Sequence, residues 1–378
     1  CGGRAGAVAL GAVTQKRPSP VTATCIGSGR MEELASMCQA HELDLLIVDR
    51  ELTPTQIRNI EAISHVRTID RTMLILDIFA SRARSREGRL QVELAQLRYR
   101  ASRLAGLGKS LSRLGGGIGT RGPGEKKLEM DRRLIRERIS RLKRELKDVE
   151  KHRELIRGQR RQSGLKVAAL VGYTSAGKSS IENALTDAGI LEDAMLFSTL
   201  DTTTRSLMLD NTQEILLTDT VGFIRKLPHH LVEAFKSTLE EAACADIIIH
   251  VVDTSNPQMD TQMHVVYETL RQLGAEGKPV VTLFNKQDLL QNPGYPRDFQ
   301  ADYSIPTSAK TGQGLEELRK ALLEIIRRDQ IYIERLYDFA EAGKIQVIRA
   351  KGQLLSEEYV PEGIRVKAYV PRDIYGRI

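Results

Sequence analysis

The sequence contains no tryptophan, and aromatic residues make up only 4% of its 378 residues. Its four cysteines are scattered, without a CxxC pair or clustered histidines: Cys1, Cys25, Cys38 and Cys244. This spacing excludes a structural zinc site and predicts a reducing, cytoplasmic compartment. No apolar run approaches ~18 residues and no signal peptide is recognisable, so we expect neither a membrane span nor secretion.

A glycine-rich segment directly follows the apolar run at residues 167–171. It reads GYTSAGKS, the GxxxxGKS pattern of a phosphate-binding loop (P-loop) between a buried strand and a helix. Its backbone N–H groups would surround the phosphates, Lys178 would reach the β- and γ-phosphates, and the Ser179 hydroxyl would bind Mg²⁺. The alternative is a chance surface turn. The nucleotide-binding residues predicted here are Gly172, Tyr173, Thr174, Ser175, Ala176, Gly177, Lys178, Ser179 and Ser180.

Three further motifs, DTVG, NKQD and SAK, follow in the order that a GTPase requires. In the first, Asp219 would hold Mg²⁺ through water and the Gly222 N–H would meet the γ-phosphate. In the second, the Asp288 carboxylate would accept from two adjacent guanine N–H groups, a pair that adenine lacks. The third would offer backbone N–H to the guanine oxygen. The set predicts GTP and GDP with Mg²⁺, bound by Asp219, Gly222, Asn285, Lys286, Asp288, Ser308, Ala309 and Lys310.

The segment FSTLDTTTR at residues 197–205 lies where a GTPase has its first switch. Any of its four threonines could close over Mg²⁺ and the γ-phosphate, and the pattern does not choose among Thr199, Thr202, Thr203 and Thr204. After DTVG comes Phe223, where Ras-like enzymes have the glutamine that orients the attacking water. A phenyl ring forms no such hydrogen bond, so we expect slow hydrolysis until a partner assists. Phe223 could also simply pack under the switch helix, and the two interpretations are compatible.

The net charge of +7 is unevenly distributed along the chain. Residues 82–161 contain 25 Lys and Arg against 10 Asp and Glu, a net of +15, which leaves −8 for the remainder. This excess predicts an acidic partner, nucleic acid above all, although a solvated charged helix is the alternative. Two heptad repeats in the same segment predict an antiparallel coiled-coil hairpin, with Leu90, Leu97, Leu104 and Leu111 in one helix and Leu128, Ile135, Leu142, Val149 and Ile156 in the other.

The connection between the two heptad runs contains six glycines within residues 115–124. Helix connections are commonly short and do not need so many glycines. A loop of this kind can approach another backbone closely, and Arg121 offers a phosphate or base contact. We therefore predict RNA contacts at Ile118, Thr120 and Arg121. The alternative is a flexible tip without a partner.

These patterns predict a multidomain α/β chain. A small N-terminal α/β unit spans residues 1–83, and because the chain opens with Cys1 we expect its natural start further upstream. The basic helical hairpin spans 84–163. A P-loop GTPase domain, with a mixed sheet and helices on both faces, spans 164–330, and a small C-terminal α+β domain of βαββ order spans 331–378. In the first unit, Thr53 followed by Pro54 predicts the start of a helix.

Together these residues resemble the HflX GTPases of the Obg–HflX superfamily, from about residue 43 to the C-terminus. The most specific motifs are IDRT at 69–72, LDIF at 76–79, LQVELAQL at 90–97, the glycine-rich tip, and DTVGFIRKLPH at 219–229. The resemblance implies a factor that binds the large ribosomal subunit and its rRNA and splits stalled or hibernating ribosomes under stress. It also implies that the ribosome stimulates GTP hydrolysis. We expect no DNA partner, and a monomer off the ribosome.

The resemblance also bears on single residues. It selects Thr199 as the switch threonine, in an FxTL pattern that begins with Phe197, so both join the predicted nucleotide site. Our predicted catalytic residues are Lys178, Thr199 and Gly222, and our predicted metal ligands are Ser179, Thr199 and Asp219.

Three residues depart from the family pattern. Asn commonly stands at Ser175, where related GTPases associate it with potassium activation, so the Ser found here argues against K⁺ as a further cofactor without excluding it. Pro commonly stands at Thr202, and its loss leaves the switch loop less restrained, because Pro fixes φ. Phe commonly stands at Glu182, and the sequence offers no physical reason for a charge there.

Two hypotheses compete with a splitting factor driven by GTP. One is a GTP-regulated RNA-binding module in ribosome assembly, whose hydrolysis is incidental. The other is an RNA-modification GTPase that needs an associated enzyme, and no catalytic Cys–His or metal constellation in the sequence supports it.

Overall fold

The computed structural model describes residues 7–111, 123–162, 164–186, 203–210, 213–223, 240–291, 294 and 296–378. They form two compact units, one up to Glu150 and one from Lys151 onward. The predicted mixed α/β fold class is confirmed, whereas the four domain ranges stay a prediction. The predicted site residues that lie outside the described residues are Ile118, Thr120, Arg121, Phe197 and Thr199.

The first unit begins with two parallel strands and three helices. They are α1 (Ser28–Ala40), β1 (Leu45–Val48), α2 (Pro54–Ser64), β2 (Arg67–Asp70) and α3 (Arg71–Arg82). The predicted start of α2 is confirmed by a capping box, in which the Gln56 N–H donates to the Thr53 hydroxyl at 3.2 Å and the Gln56 side chain accepts from the Thr53 N–H at 3.0 Å.

The carboxylate of Asp70, at the end of β2, ties these elements to the next helix, α4 (Arg86–Leu111). It is completely buried and accepts from the Tyr99 hydroxyl at 2.5 Å and from Arg103 Nη2 at 2.8 Å. The N–H groups of Leu52 and Met73 donate to it as well, at 3.1 and 2.9 Å. Charge-assisted hydrogen bonds of this kind are the strong ones, so α4 is held firmly against the α/β elements.

Helices α4 and α5 (Pro123–Gln162) pack along the predicted heptad seam. Side chains from both form one apolar cluster: Leu90, Leu94, Leu97, Ile139, Leu142, Leu146 and Val149. Arg138 adds a bidentate ion pair to Glu93 across the seam, at 2.8 and 2.9 Å. The predicted seam is thus confirmed for these seven side chains.

The second unit contains a six-stranded sheet in the order β4-β5-β3-β6-β7-β8. All neighbours are parallel except β4 and β5. Apolar residues alternate between the two faces of β3, so that Ala168 and Leu170 pack on one side and Ala169 and Val171 on the other. The strands are β3 (Lys166–Gly172), β4 (Thr203–Met208), β5 (Glu214–Asp219), β6 (Ile247–Asp253), β7 (Val280–Asn285) and β8 (Tyr303–Pro306).

Helices cover both faces of this sheet, as predicted. Those on one face are α6 (Lys178–Thr186) and α8 (Leu315–Arg328), and α7 (Met259–Gln272) lies on the other. The apolar residues of α8 recur at helical spacing, from Leu315 to Ile326, which explains its burial.

A three-stranded antiparallel sheet completes the chain, in the order β10-β11-β9. Its elements are β9 (Gln330–Tyr337), α9 (Ala342–Lys351), β10 (Gln353–Val360), β11 (Gly363–Pro371) and the short α10 (Arg372–Tyr375). The βαββ order was predicted and α10 was not. None of the helices within the described ranges is long and apolar enough to cross a membrane.

Candidate nucleotide-binding site

The predicted motifs meet at one edge of the six-stranded sheet. The P-loop follows β3, DTVG begins at the last residue of β5, NKQD begins at the last residue of β7, and SAK comes shortly after β8. Because these four strands are parallel, their carboxyl ends lie side by side, which is where open α/β sheets bind ligands.

The P-loop connects β3 to α6 in a conformation that needs its glycines. Gly177 has φ +98°, and a Cβ there would lie 2.3 Å from Asn285 Nδ2. Gly172 passes just as close to β6, where a Cβ would lie 2.3 Å from the Val251 carbonyl oxygen. Ser175 has φ +62°, a left-handed conformation that Asn adopts more readily than most residues. The loop therefore passes closely between neighbouring segments of the sheet.

Lys178, the first residue of α6, lies beneath the loop with 7% of its surface exposed. Its Nζ is 3.4 Å from the Tyr173 carbonyl oxygen. A Cβ at Gly222 would lie 3.1 Å from this Nζ and 2.9 Å from Thr174 Cα, so a larger residue would press on the loop. Burial lowers the pKa of Lys178, and the charge of Asp219 opposes that shift.

The two described candidates for binding Mg²⁺ lie in contact. The Ser179 hydroxyl donates to Asp219 Oδ2 at 2.8 Å, and Asp219 is 1% exposed. Mg²⁺ prefers such hard oxygen ligands and usually takes only one or two from the protein, with the substrate phosphates supplying others. The pair fits this ion. Among the described residues, no group of three or more His, Cys, Asp or Glu could hold a metal by itself.

Asn285 joins the guanine-reading motif to the P-loop. Its Nδ2 donates to the Ala176 carbonyl at 2.8 Å, and its Oδ1 accepts from the Ala309 N–H at 3.0 Å. The Ala309 N–H was predicted as a donor to guanine, and in the structure it donates to Asn285. Lys286, in the left-handed region, contacts Asp253 with its Nζ at 2.6 Å.

Asp288 lies beside the SAK motif. Its Oδ1 accepts from the Ser308 hydroxyl at 2.7 Å, which orients the carboxylate. Lys310 is exposed at the same edge. NKQD and SAK are therefore brought together, as the guanine assignment requires.

Phe223 is a core residue. Its side chain is 5% exposed and packs in the cluster that includes Ala169, Val171 and Ile248. Its backbone pairs with the P-loop, since the Phe223 N–H donates to the Gly172 carbonyl at 3.0 Å and its carbonyl accepts from the Thr174 N–H at 2.9 Å. Packing of the ring is thus supported by its contacts with the described core residues. The ring cannot orient a water molecule.

Two of the four candidate switch threonines lie in β4 with their hydroxyls in use. Thr203 Oγ1 donates to Glu182, and Thr204 Oγ1 shares a hydrogen bond of 3.1 Å with Thr218 Oγ1. The two hydroxyls therefore join β4 to α6 and to β5 in this structure. Thr199 and Thr202 lie outside the described residues.

Glu182, which the sequence left unexplained, has defined partners. It is 1% exposed, and its two oxygens accept from Thr203 Oγ1 at 3.2 and 3.1 Å. Arg205 Nε lies 3.5 Å from its Oε1. Burial first, and the charge of Asp219 second, raise the pKa of Glu182 to about 7, against the opposing effects of Thr203 and Arg205.

A buried polar network that the sequence reasoning missed lies between β6, β7 and α7. Asp298 Oδ2 accepts from the Tyr267 hydroxyl at 2.5 Å and from Thr282 Oγ1 at 2.7 Å, and His250 Nδ1 is 4.0 Å away. Burial lowers the pKa of His250 to about 4. The one available signal was a histidine inside the apolar run IIIHVVD.

Three family models match successive parts of the chain. They are described as GTP-binding GTPase N-terminal, over residues 3–80, GTP-binding GTPase Middle Region, over 82–160, and 50S ribosome-binding GTPase, over 167–286. Among solved structures, a GTP-binding protein from the hyperthermophilic archaeon Sulfolobus solfataricus, in complex with GDP, is 25% identical. The match covers 82% of this chain and 89% of that one, with a TM-score of 0.45.

Curated relatives match over nearly the whole length. The GTPase HflX of Lacrimispora saccharolytica is 58% identical over 99% of this chain and 88% of its own. The GTPase HflX of Caldanaerobacter subterraneus is 48% identical over 99% of this chain and 86% of its own. The chain therefore belongs to the HflX family of GTPases, which bind GTP and hydrolyse it to GDP and phosphate.

Proposed function

We propose that this GTPase associates with the large ribosomal subunit through its rRNA and splits or rescues stalled or hibernating ribosomes under stress. The compartment of this action is the cytoplasm, where ribosomes are. The observation that carries the proposal is the basic coiled-coil hairpin. The description of the third matching family model, a 50S ribosome-binding GTPase, supports the same partner.

The hairpin offers its charge to a partner because the apolar cluster between α4 and α5 joins the two helices and leaves basic residues on their outer faces. The basic side chains on its outer faces are exposed, among them Arg133, Arg136, Arg141, Lys143, Arg144 and Lys147. Basic side chains on the outside of the helical hairpin suit the phosphates of folded RNA. Such phosphate contacts contribute affinity without requiring a particular nucleotide sequence. The glycine-rich tip would add RNA contacts of its own, from Ile118, Thr120 and Arg121.

In the nucleotide site, we assign the phosphates to the P-loop and Lys178, and guanine to the NKQD and SAK motifs. Ser179 and Asp219, with Thr199 from the first switch, would hold Mg²⁺, which neutralises charge on the β- and γ-phosphates when bound. The Asp288 carboxylate, which the Ser308 hydroxyl orients, would accept from the two adjacent guanine N–H groups.

Hydrolysis would await the ribosome, because the residue that orients water in Ras-like enzymes is replaced by the buried Phe223. A group from the ribosome, or a switch residue ordered by it, would then position the water. GTP would favour the ribosome-bound state and hydrolysis would permit release.

The proposal is tested by measuring GTP hydrolysis with and without purified large subunits, together with co-sedimentation in the presence of a GTP analogue or GDP. We expect a rate increase of about tenfold or more with large subunits, since partner-supplied groups in related reactions are worth far more. We also expect pelleting with the analogue and less with GDP. An unchanged hydrolysis rate would contradict the proposal.

The role of the hairpin is tested separately. Arg121→Ala should lower co-sedimentation and ribosome-stimulated hydrolysis while leaving GTP affinity unchanged, and Arg271→Gln, at an exposed arginine on α7, is the matched control. Binding should also weaken steeply with salt through counterion release. Equal losses of GTP affinity and ribosome binding in Arg121→Ala would refute this division of labour.

A second candidate is a GTP-regulated RNA-binding module in ribosome assembly, whose hydrolysis is incidental; the buried Phe223, which cannot orient a water molecule, fits this candidate as well as the first. A non-hydrolysable GTP analogue distinguishes the two. Under the assembly hypothesis it supports full activity over many cycles, whereas a splitting factor that must release the subunit stops after one.

A further inference from the structure

Glu182 closes a ring of contacts around the predicted magnesium ligands. Ser179 and Glu182 lie one turn apart on α6. Ser179 donates to Asp219 at the end of β5, Asp219 is the register partner of Thr203 in β4, and Thr203 donates back to Glu182. Three elements, α6, β5 and β4, are thereby joined at one point.

The contact between Glu182 and Thr203 is specific. The hydroxyl lies almost midway between the two carboxylate oxygens, at 3.2 and 3.1 Å, and the carboxylate is 1% exposed. Arg205, two residues further along β4 and on the same face of the strand, brings its Nε within 3.5 Å of Glu182 Oε1. Glu182 therefore binds the first two residues of β4 that face α6.

Burying a carboxylate is costly unless it is hydrogen-bonded and paired. The Glu182 carboxylate is buried next to the predicted metal ligands. An apolar side chain between α6 and β4 would not carry this free-energy cost of burial. This placement gives the carboxylate a role in the nucleotide site.

We propose that Glu182 is a positioning residue that, by holding Thr203, keeps Asp219 in contact with Ser179, the pair predicted to hold Mg²⁺. The hydrogen bond to Thr203 keeps β4 against α6. Since β4 is paired with β5, it also keeps the last residue of β5 beside Ser179. The inference goes beyond the proposed ribosomal role and rests only on nucleotide binding at the P-loop.

The test compares the affinity for a fluorescent GDP in saturating Mg²⁺ and in EDTA, without ribosomes, so its outcome is independent of the proposed ribosomal function. Thr203→Val keeps the shape of the side chain and removes the hydroxyl. We expect it to reduce the gain in affinity that Mg²⁺ provides by about tenfold, the upper end of the value of one ordinary hydrogen bond, and to leave the affinity in EDTA unchanged. Ser206→Ala, which removes an exposed hydroxyl further along β4 that contacts Glu214, is the control and should behave as wild type.

Two variants of Glu182 complete the experiment. Glu182→Gln keeps an acceptor for Thr203 and should stay within about twofold of wild type, whereas Glu182→Met should lose as much as Thr203→Val. Combined with Thr203→Val, Glu182→Met should add no further loss, because both remove the same contact. A wild-type Mg²⁺ dependence in folded Thr203→Val, equal losses in Mg²⁺ and EDTA, or additive losses in the double variant would each overturn the proposal.

Discussion

Phe223 allows a sharp test of why this enzyme is expected to be slow alone. Replacing it with glutamine restores the residue type that orients water in Ras-like GTPases. We expect no acceleration of GTP hydrolysis, because the side chain points into the core cluster with Ala169, Val171 and Ile248. We expect a large loss of stability in its place.

The size of that loss follows from the burial. The ring is 5% exposed, so removing it forfeits about 2–3 kcal/mol of apolar transfer free energy. An amide placed in the same apolar surroundings without a partner adds about 1–3 kcal/mol. The total of about 3–6 kcal/mol is a large part of the stability of an ordinary domain, which is about 5–15 kcal/mol. Phe223→Leu, which keeps an apolar side chain, should lose much less.

The assay combines thermal unfolding with single-turnover hydrolysis of GTP in the absence of ribosomes. GTP binding should survive in both variants where they fold, since the P-loop contacts of Phe223 are made by its backbone. A Phe223→Gln protein that hydrolyses GTP several-fold faster and unfolds at the wild-type temperature would refute the reasoning. It would mean that the side chain at this position reaches the γ-phosphate.

Two further predictions concern single titratable residues. Asp288→Asn should shift the preference from guanine to xanthine nucleotides, because a carbonyl replaces the amino donor in xanthine. Competition binding with GDP and XDP measures this shift. Retained GDP selectivity would contradict the guanine assignment. His250, whose pKa burial lowers to about 4 from an ordinary value of 6.5, binds its proton more readily in the unfolded chain, so between these pH values stability falls as pH falls. The slope is at most about 1.4 kcal/mol per pH unit. In thermal unfolding from pH 7 to pH 4.5, His250→Phe should therefore lose less stability than wild type, and parallel curves would show that His250 does not titrate there.

Much of the fold could be predicted because the sequence is locally consistent with it. The heptad pattern of α4 and α5, the capping box at Thr53, and the apolar runs before each motif all correspond to elements of the structure. Motif order was enough to place the P-loop, DTVG, NKQD and SAK at one sheet edge, because parallel strands bring their carboxyl ends together.

The unpredicted features depend on contacts between residues far apart in the chain. Asp298 reads as an ordinary loop aspartate, and only the fold brings it to Tyr267 and Thr282. Glu182 looked anomalous because its partner, Thr203, lies on a strand whose register no local pattern reveals. For Phe223, the pattern gave two compatible interpretations, and only the fold shows that the ring is buried in the core.

The hydrogen bond from Asn285 to the Ala176 carbonyl has a consequence for ligand length. It joins the segment predicted to hold the base to the segment predicted to hold the phosphates, with Gly177 packed against the same amide. The two ends of the site therefore keep a fixed separation, set by one side chain. A nucleotide whose base and β-phosphate are spaced differently from those of GDP can satisfy one end of the site but not both, so this contact selects the span of the ligand independently of the identity of its base.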